Sequence, residues 1–169
     1  MSVSLFTKYC VDTSALIDLS GRLLPATTFP DLFARLDAGF ASDLLVSPRE
    51  VRRELQNGSA GDDLERWATE NPAYFVDPDD CQLTLMAQLM AQYPQVYDSK
   101  LHRSTDADPW VIVLAQAHGL TVVTSENQDS PKKIPHFCRE LGVPVVNVFG
   151  FFECEGWAFN LGEGASEAV

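Results

Sequence analysis

Short apolar segments alternate with amphipathic ones along much of the chain. Apolar residues run up to Asp12, and helical spacing follows through Leu16 and Leu19; "DLLVS" is a second short apolar run. Further on, "LTVVTSE" and "VPVVNVF" enclose the amphipathic stretch "PHFCRELG". Strands that are apolar on both faces are typical of parallel sheets covered by helices on each side. The pattern therefore predicts an α/β fold, an α/β/α sandwich with a central, mostly parallel sheet.

The segments between these strands have helical periodicity and helix-end signals. One helix is predicted from about Asp31 to Phe40, and others in "DLERWATE" and "DDCQLTLMAQLMAQY". In "SPREVRREL", Ser47 is predicted to cap a helix, with Glu50 closing a capping box. "DPWVIVLAQAHG" is apolar almost all round, so it predicts a buried helix capped by Asp108.

The length of 169 residues suits one compact domain with a sizeable core. We expect a single domain over residues 1–156, with a helical insertion at about 57–105. Residues 157–169 are rich in Gly, Ser and Glu, which is typical of a flexible tail.

Composition and charge narrow the classes of function. The net charge of -12 argues against non-specific coating of nucleic acid, although it permits a local basic strip and suits a basic partner protein. No window is long and apolar enough to span a bilayer, and the start lacks a secretory-signal pattern. The four cysteines form no C-x-x-C pair, and Cys10 and Cys138 fit apolar patterns. We therefore expect a cytoplasmic protein without disulfides or membrane association.

Several carboxylates follow predicted strands or begin the helices that connect them. Asp12 and Glu126 come directly after strands, and Asp108 opens the buried helix, with Asp106 nearby. Because ligands of open parallel sheets bind beyond the carboxyl ends of the strands, these acids are predicted to converge. Glu54 lies at the edge of the core-facing stripe of its helix, so it is a further candidate.

Acids brought together in this way repel one another. Two unit charges ~4 Å apart interact by roughly 4 kcal/mol at an effective dielectric near 20. A hard divalent ion such as Mg²⁺ or Mn²⁺ relieves that repulsion, because it prefers oxygen ligands. Such an ion binds phosphate oxygens and activates water, so the pattern favours phosphodiester hydrolysis.

Each candidate acid also has an ordinary structural interpretation. Asp12 and Asp108 are both suited to capping the helices that follow them. Glu54 is also suited to pairing with a neighbouring arginine on the surface, and Glu126 to a polar turn in "SENQD". The residues alone leave these alternatives open.

Four segments in order resemble the PIN domains, and in particular the VapC-like toxin ribonucleases: "YCVDTSALIDL", "VSPREVRREL", "DADPWVIVLAQAHGLTVVTSE" and "KIPHFCRELGVPVVNVFGFF". The resemblance covers about Tyr9 to Phe152. It implies a PIN-like (Rossmann-like) fold and metal-dependent cleavage of single-stranded RNA. The family's four acids correspond to Asp12, Glu54, Asp108 and Glu126, with Asp129 as the reserve for the fourth. Asp106 is a further candidate because it is close to Asp108 in the sequence. Asp12, Asp108 and Glu126 are the expected ligands of Mg²⁺ or Mn²⁺.

The resemblance also implies further site residues and partners. Thr13, Ser14 and Thr124 match positions where the family often has polar groups around the site, and Lys132 and Lys133 are candidates for holding an RNA backbone. A cognate antitoxin protein and a homodimer are expected on the same ground. The alternative function is a PIN-like module that binds RNA or protein without cleaving it.

Overall fold

A central sheet of five parallel strands organises the molecule. The computed structural model describes residues 3–24, 28–29, 31–59, 62–94 and 107–158. Within them the strands are β1 (Tyr9–Val11), β2 (Leu45–Pro48), β3 (Phe75–Val76), β4 (Thr121–Val123) and β5 (Val145–Val146). Their order in the sheet is β3-β2-β1-β4-β5, and every pairing is parallel. The predicted α/β class with a parallel sheet is confirmed.

Helices connect the strands and flank the sheet. They are α1 (Thr13–Ile17), α2 (Leu32–Ala41), α3 (Arg49–Glu54), α4 (Asp62–Glu70), α5 (Asp80–Gln92), α6 (Asp108–His118), α7 (Ile134–Glu140) and α8 (Val148–Glu155). None of the described helices is both long and apolar enough to cross a membrane.

The register of the strands decides which residues share the edge where the site lies. Tyr9 pairs with Leu45 of β2 on one side and with Thr121 of β4 on the other. Counting forward in this register, Asp12 and Thr124 leave the sheet side by side at the carboxyl end of neighbouring strands. The Asp12 N–H still donates to the Val123 carbonyl, at 2.9 Å, so the start of the site is fixed by the sheet itself.

The core covers both faces of the sheet, and helix α6 is central to it. Residues Val111, Ile112, Val113, Leu114 and Ala115 are all buried, which confirms the prediction of a helix without an exposed face. Gly119 ends α6 in the left-handed conformation, with φ of 66°, where a residue with a Cβ is strained.

Two of the cysteines lie in the core, as the apolar patterns around them predict. All four are free thiols, and Cys10 and Cys138 are buried. Burial raises the pKa of the Cys138 thiol to about 12 and that of Cys10 well above its usual range. Both therefore stay protonated and pack as small apolar residues.

Three details of the sequence-based prediction are wrong. Ser47 belongs to β2 and does not cap α3; its hydroxyl donates to the Val11 carbonyl at 2.7 Å, so the capping box with Glu50 does not form. The segment predicted as a helical insertion contains strand β3 as well as helices. The last predicted strand ends early, because Asn147 caps a new helix, α8, with its side chain accepting from the Gly150 N–H.

Candidate functional site

Asp12 is the buried centre of the candidate site. It follows β1 directly and is only 2% exposed. Its Oδ2 accepts hydrogen bonds from the Ser14 hydroxyl at 2.6 Å and from the Thr124 hydroxyl at 2.9 Å. The same oxygen accepts from the Ser14 N–H at 3.3 Å, so Asp12 also caps α1. The capping interpretation is thus confirmed.

The surroundings of Asp12 are costly for a negative charge. Burial raises the pKa of its carboxyl, and the charge of Glu126 raises it further, while the hydroxyls of Ser14 and Thr124 act in the opposite direction. The net direction is upward, because desolvation outweighs the hydrogen bonds. A carboxylate held in this way gains from any positive charge placed beside it.

Glu54 joins three elements at the same edge. It is the last residue of α3, and its Oε1 accepts from the Ala107 N–H at 2.9 Å, just before α6. Its Oε2 accepts from the hydroxyl of Thr13, the neighbour of Asp12. Arg49 and Arg53, the arginines with which a surface glutamate would pair, form ion pairs with Glu50. Glu54 therefore lies on the inner side of α3, next to the other acids.

Asp108 occupies the first position of α6, directly after the residue that binds Glu54. Ala107 is the N-cap residue and makes no side-chain cap, so the prediction that Asp108 caps α6 is wrong by one position. Asp108 remains in the first turn, where a negative charge interacts favourably with the helix dipole. Its charge also acts on the ammonium of Lys133, which raises the pKa of that lysine.

Glu126 is held at both of its oxygens. It follows β4, and its side chain is 10% exposed. Its Oε1 accepts from the ammonium of Lys133, and its Oε2 accepts from the Ile134 N–H at 2.9 Å. The Glu126 N–H in turn donates to the Thr124 hydroxyl at 3.2 Å. Glu126 itself is therefore anchored beside Asp12 and Lys133, although the residues that follow it form a polar turn.

Lys133 is a positive group on which three of the four candidate acids act. Its pKa is raised first by the hydrogen bond to Glu126, against a smaller lowering by burial. The charges of Glu126, Asp108 and Asp12 raise it further. Three acids that are far apart in the sequence thus act on one ammonium group, and Glu54 is linked to them through Thr13 and Ala107.

The hydroxyls predicted to bind substrate instead contact the acids. Thr13 donates to Glu54, and Ser14 and Thr124 both donate to Asp12. The Ser14 hydroxyl also accepts from the Ser125 N–H at 3.0 Å. These groups fix the carboxylates in place, and a role in substrate binding stays a prediction.

The remaining candidates do not join the cluster in the described structure. Lys132 and Asp129 are exposed on the turns that precede α7. The Asp129 N–H donates to the Asn127 side chain at 2.9 Å, as in an ordinary polar turn. Asp106 lies outside the described residues.

Glu50 is a buried acid that the sequence analysis assigned to a cap. It is 3% exposed, and its Oε1 pairs with Arg49 at 2.9 Å and with Arg53 at 3.5 Å. Its Oε2 is buried and has no hydrogen-bond partner within the part of the chain that the structure describes. Its spacing of four residues from Glu54 is the signal that places both on one side of α3.

The candidate carboxylates are the type of ligand that a hard divalent ion prefers, but their side chains are not close enough together to bind one. Asp12, Asp108 and Glu126 offer the carboxylate oxygens that Mg²⁺ and Mn²⁺ prefer, and the ammonium of Lys133 stands in as the cation. Across residues 3–24, 28–29, 31–59, 62–94 and 107–158, no three acidic, histidine or cysteine side chains are grouped closely enough to hold a metal ion. Coordination by all three acids would therefore require their side chains to come closer together and Glu126 to be released from Lys133.

Comparison with solved structures supports the fold. The crystal structure of PAE2754 from Pyrobaculum aerophilum matches with a TM-score of 0.50 and 17% identity, covering 90% of this chain and 97% of that one. The structure of FitAcB from Neisseria gonorrhoeae matches with a TM-score of 0.48 and 19% identity, covering 82% of this chain and 96% of that one. At these identities the likeness to PAE2754 concerns the fold alone, and the lower score of FitAcB adds nothing to it.

Sequence comparison places the chain in a family. No curated protein sequence matches it. A family model described as "Domain of unknown function (DUF4411)" matches residues 9–159, which include every strand of the sheet and all four candidate acids. The chain therefore belongs to the DUF4411 family.

Proposed function

We propose that this protein is a metal-dependent endoribonuclease that cleaves single-stranded RNA, of the VapC-like PIN kind. The observation that carries the proposal is the position of Asp12, a buried carboxylate on which the charge of a second acid, Glu126, acts. Such an arrangement stores unfavourable electrostatic energy that a bound cation removes. The four sequence segments that resemble PIN domains supply the reaction class.

The proposed roles follow from what each side chain already contacts. Asp12, Asp108 and Glu126 would hold Mg²⁺ or Mn²⁺ through their carboxylate oxygens. When bound, such an ion supplies Lewis-acid chemistry, activating water and stabilising charge on phosphate oxygens. Ser14 and Thr124 keep Asp12 in one orientation through their hydroxyls. Glu54 holds the starts of α1 and α6 together, so its effect on the site includes a positioning role.

The reaction is hydrolysis of a phosphodiester. The oxygen of a water molecule bonds to phosphorus and the bond to the 3′ oxygen breaks, which leaves a 5′ phosphate and a 3′ hydroxyl. This route does not use the 2′ hydroxyl, so a preference for RNA must come from binding. With a net charge of -12, contact with the backbone depends on local basic groups, of which Lys132 and Lys133 are adjacent to the site.

The test is cleavage of single-stranded RNA with Mg²⁺ or Mn²⁺, comparing the wild type with Asp12→Asn. Loss of a group that acts on the transition state lowers the rate by roughly 100-fold or more. Asp129→Asn is the matched control, because it removes an equal charge from an exposed position nearby. Metal-dependent cleavage of equal rate in wild type and Asp12→Asn would refute the assigned site.

One observation favours the alternative of a module that binds without cleaving. Both oxygens of Glu126 are engaged within the protein, as they would be in a site whose acids serve structure only. This alternative predicts that the acid cluster has no affinity for divalent ions. Calorimetric titration with Mn²⁺ separates the two functions, since only the nuclease requires binding that Asp12→Asn weakens.

We further propose, from the sequence resemblance, that the protein is the toxin of a type II toxin–antitoxin pair and forms a homodimer. The acidic surface suits a basic partner protein. Size-exclusion chromatography with light scattering tests the dimer, and a monomer at micromolar concentration would contradict it. Growth arrest on expression, relieved by Asp12→Asn, tests the toxin assignment.

A further inference from the structure

We propose that Lys133 is a tethered counter-cation of the acid site, which occupies Glu126 in the ion-free protein and leaves it when a divalent ion binds. The inference deepens the proposed function, since it rests on Glu126 being a ligand of that ion. It assigns Lys133 a role in controlling metal affinity, distinct from the RNA-binding role suggested by the sequence.

The contacts of Glu126 divide into one that is fixed and one that is movable. The bond from the Ile134 N–H comes from the backbone at the start of α7, so it stays wherever that helix stays. The bond from Lys133 comes from a flexible side chain that is 45% exposed, whereas the Glu126 side chain is 10% exposed. The ammonium therefore reaches the buried carboxylate from the solvent side, and it can withdraw without a change in the backbone.

The Lys133 ammonium supplies positive charge to a site made of acids. The negative charges of Asp12 and Asp108 act on it in addition to that of its direct partner, Glu126. Its neighbour Lys132 is exposed and has the same formal charge. The two lysines thus differ in where their charge lies, which gives the chain its own matched control.

Competition follows from this arrangement in two ways. A divalent ion has to displace the ammonium from Glu126, and any ammonium left beside the site repels the incoming ion. Removing the Lys133 charge eliminates both effects, so the affinity for the ion should rise. A lysine that serves only to bind phosphate predicts unchanged metal affinity and weaker binding of RNA.

The experiment is calorimetric titration of Mn²⁺ into the wild type, Lys133→Met and Lys132→Met at the same ionic strength. We expect Lys133→Met to bind about fivefold more tightly, which corresponds to about 1 kcal/mol, and Lys132→Met to differ from wild type by less than twofold. Lys133→Arg keeps the positive charge, so its affinity for Mn²⁺ should stay as low as that of the wild type. Equal or weaker binding by Lys133→Met, or an equal gain in Lys132→Met, would overturn the inference.

A second measurement uses the wild type alone, so it does not depend on how the variant folds. In NMR spectra of the lysine ε-methylene groups, the Lys133 signals should move toward those of an exposed lysine as Mg²⁺ is added, while the Lys132 signals stay in place. A Lys133 signal that does not move at saturating Mg²⁺ contradicts displacement.

Failure of the nuclease proposal gives a different pattern from failure of this inference. If Lys133→Met binds Mn²⁺ more tightly than the wild type but the wild type cleaves no RNA, the counter-cation role of Lys133 is supported and the nuclease activity is refuted. If the wild type cleaves RNA and Lys133→Met has unchanged metal affinity, only the counter-cation role is refuted. Absence of Mn²⁺ binding in both wild type and Lys133→Met refutes the two together.

Discussion

Replacing Thr124 with valine tests whether its buried hydroxyl holds the Asp12 carboxylate. Valine keeps the shape of threonine and exchanges the hydroxyl for a methyl group. The Thr124 side chain is fully buried, its hydroxyl donates to Asp12 at 2.9 Å, and it accepts from the Glu126 N–H at 3.2 Å. The substitution therefore deprives the Asp12 carboxylate of a hydrogen-bond donor and the Glu126 N–H of its acceptor.

The size of the effect follows from these two contacts. A hydrogen bond to a charged group contributes about 1.5–3 kcal/mol, and a buried donor left without a partner costs about 1–3 kcal/mol. Because the Ser14 hydroxyl still serves Asp12, we take the lower part of the combined range, about 3 kcal/mol. For a chain of this length that loss corresponds to a decrease in Tm of roughly 6–12 °C.

The loss should also depend on pH. The Thr124 hydroxyl lowers the pKa of Asp12, so it favours the charged carboxylate over the neutral one. Its contribution is therefore complete above the higher pKa that Asp12 has in Thr124→Val, and it shrinks as the pH falls from there through the pKa of Asp12 in the wild type. In Thr124→Val the pKa of Asp12 rises further, so the acidic limb of any pH–activity profile should move to higher pH.

The assay is urea unfolding of Thr124→Val and Thr124→Ser, followed by circular dichroism at neutral and acidic pH. Serine keeps the hydroxyl and loses only the methyl group, so it should be the more stable of the two at neutral pH. The difference between them should narrow in acid. If valine is as stable as serine at neutral pH, the hydroxyl does not stabilise the charged Asp12 and this account is wrong.

Two further predictions concern residues outside the acid cluster. Asp79 caps α5 by accepting from the Gln82 N–H at 2.8 Å, and it contacts His118 at 3.0 Å. The bond from Gln82 is the main cause of the lowered pKa of Asp79. The stabilisation by the Asp79 carboxylate is therefore present above the pKa of an unfolded aspartate, ~3.9, and is lost as the pH falls through the lower pKa of the folded protein. Asp79→Ala should lower the free energy of unfolding by about 1 kcal/mol at pH 7, and Asp79→Asn should lower it by less. If the urea midpoints of the wild type and Asp79→Ala are as far apart at pH 2 as at pH 7, the prediction is contradicted. Ser47→Ala should cost about 1 kcal/mol, because the fully buried hydroxyl donates to Val11 at the end of β1; an unchanged urea midpoint would show that this bond contributes nothing.

The parts of the fold that were predictable are those with a strong local signal. The apolar runs before Asp12 and Glu126 identified β1 and β4, and the apolar helix between residues 108 and 118 was predicted from its composition. Strand β3 was missed because it has only two residues, Phe75 and Val76, and it forms by pairing with β2. Because Phe75 pairs with Ser47, 28 residues earlier in the chain, the hydrophobic pattern around β3 does not indicate this pairing.

The end of the sheet at which Asp12 and Glu126 lie was predictable, but the side-chain partners of the candidate acids were not. The spacing of strands and helices brings Asp12, Asp108 and Glu126 to one edge for reasons of topology, which the sequence expresses well. The partners of Glu54, the Thr13 hydroxyl and the Ala107 N–H, depend on how α3 packs against two other helices. Such tertiary contacts do not follow from periodicity within α3.

Glu50 illustrates how a correct local rule gives a wrong result. Glu three residues after Ser is a genuine capping-box signal, yet β2 extends through Pro48 and uses the Ser47 hydroxyl to bind Val11. Without a cap to serve, Glu50 turns inward and pairs with Arg49 and Arg53 through a single oxygen. The sheet register, fixed by pairing between β1 and β2, thus decides what a helix-start residue does. The same register places Pro48 next to Asp12. The end of β2 that keeps Ser47 from capping α3 therefore lies beside the candidate site.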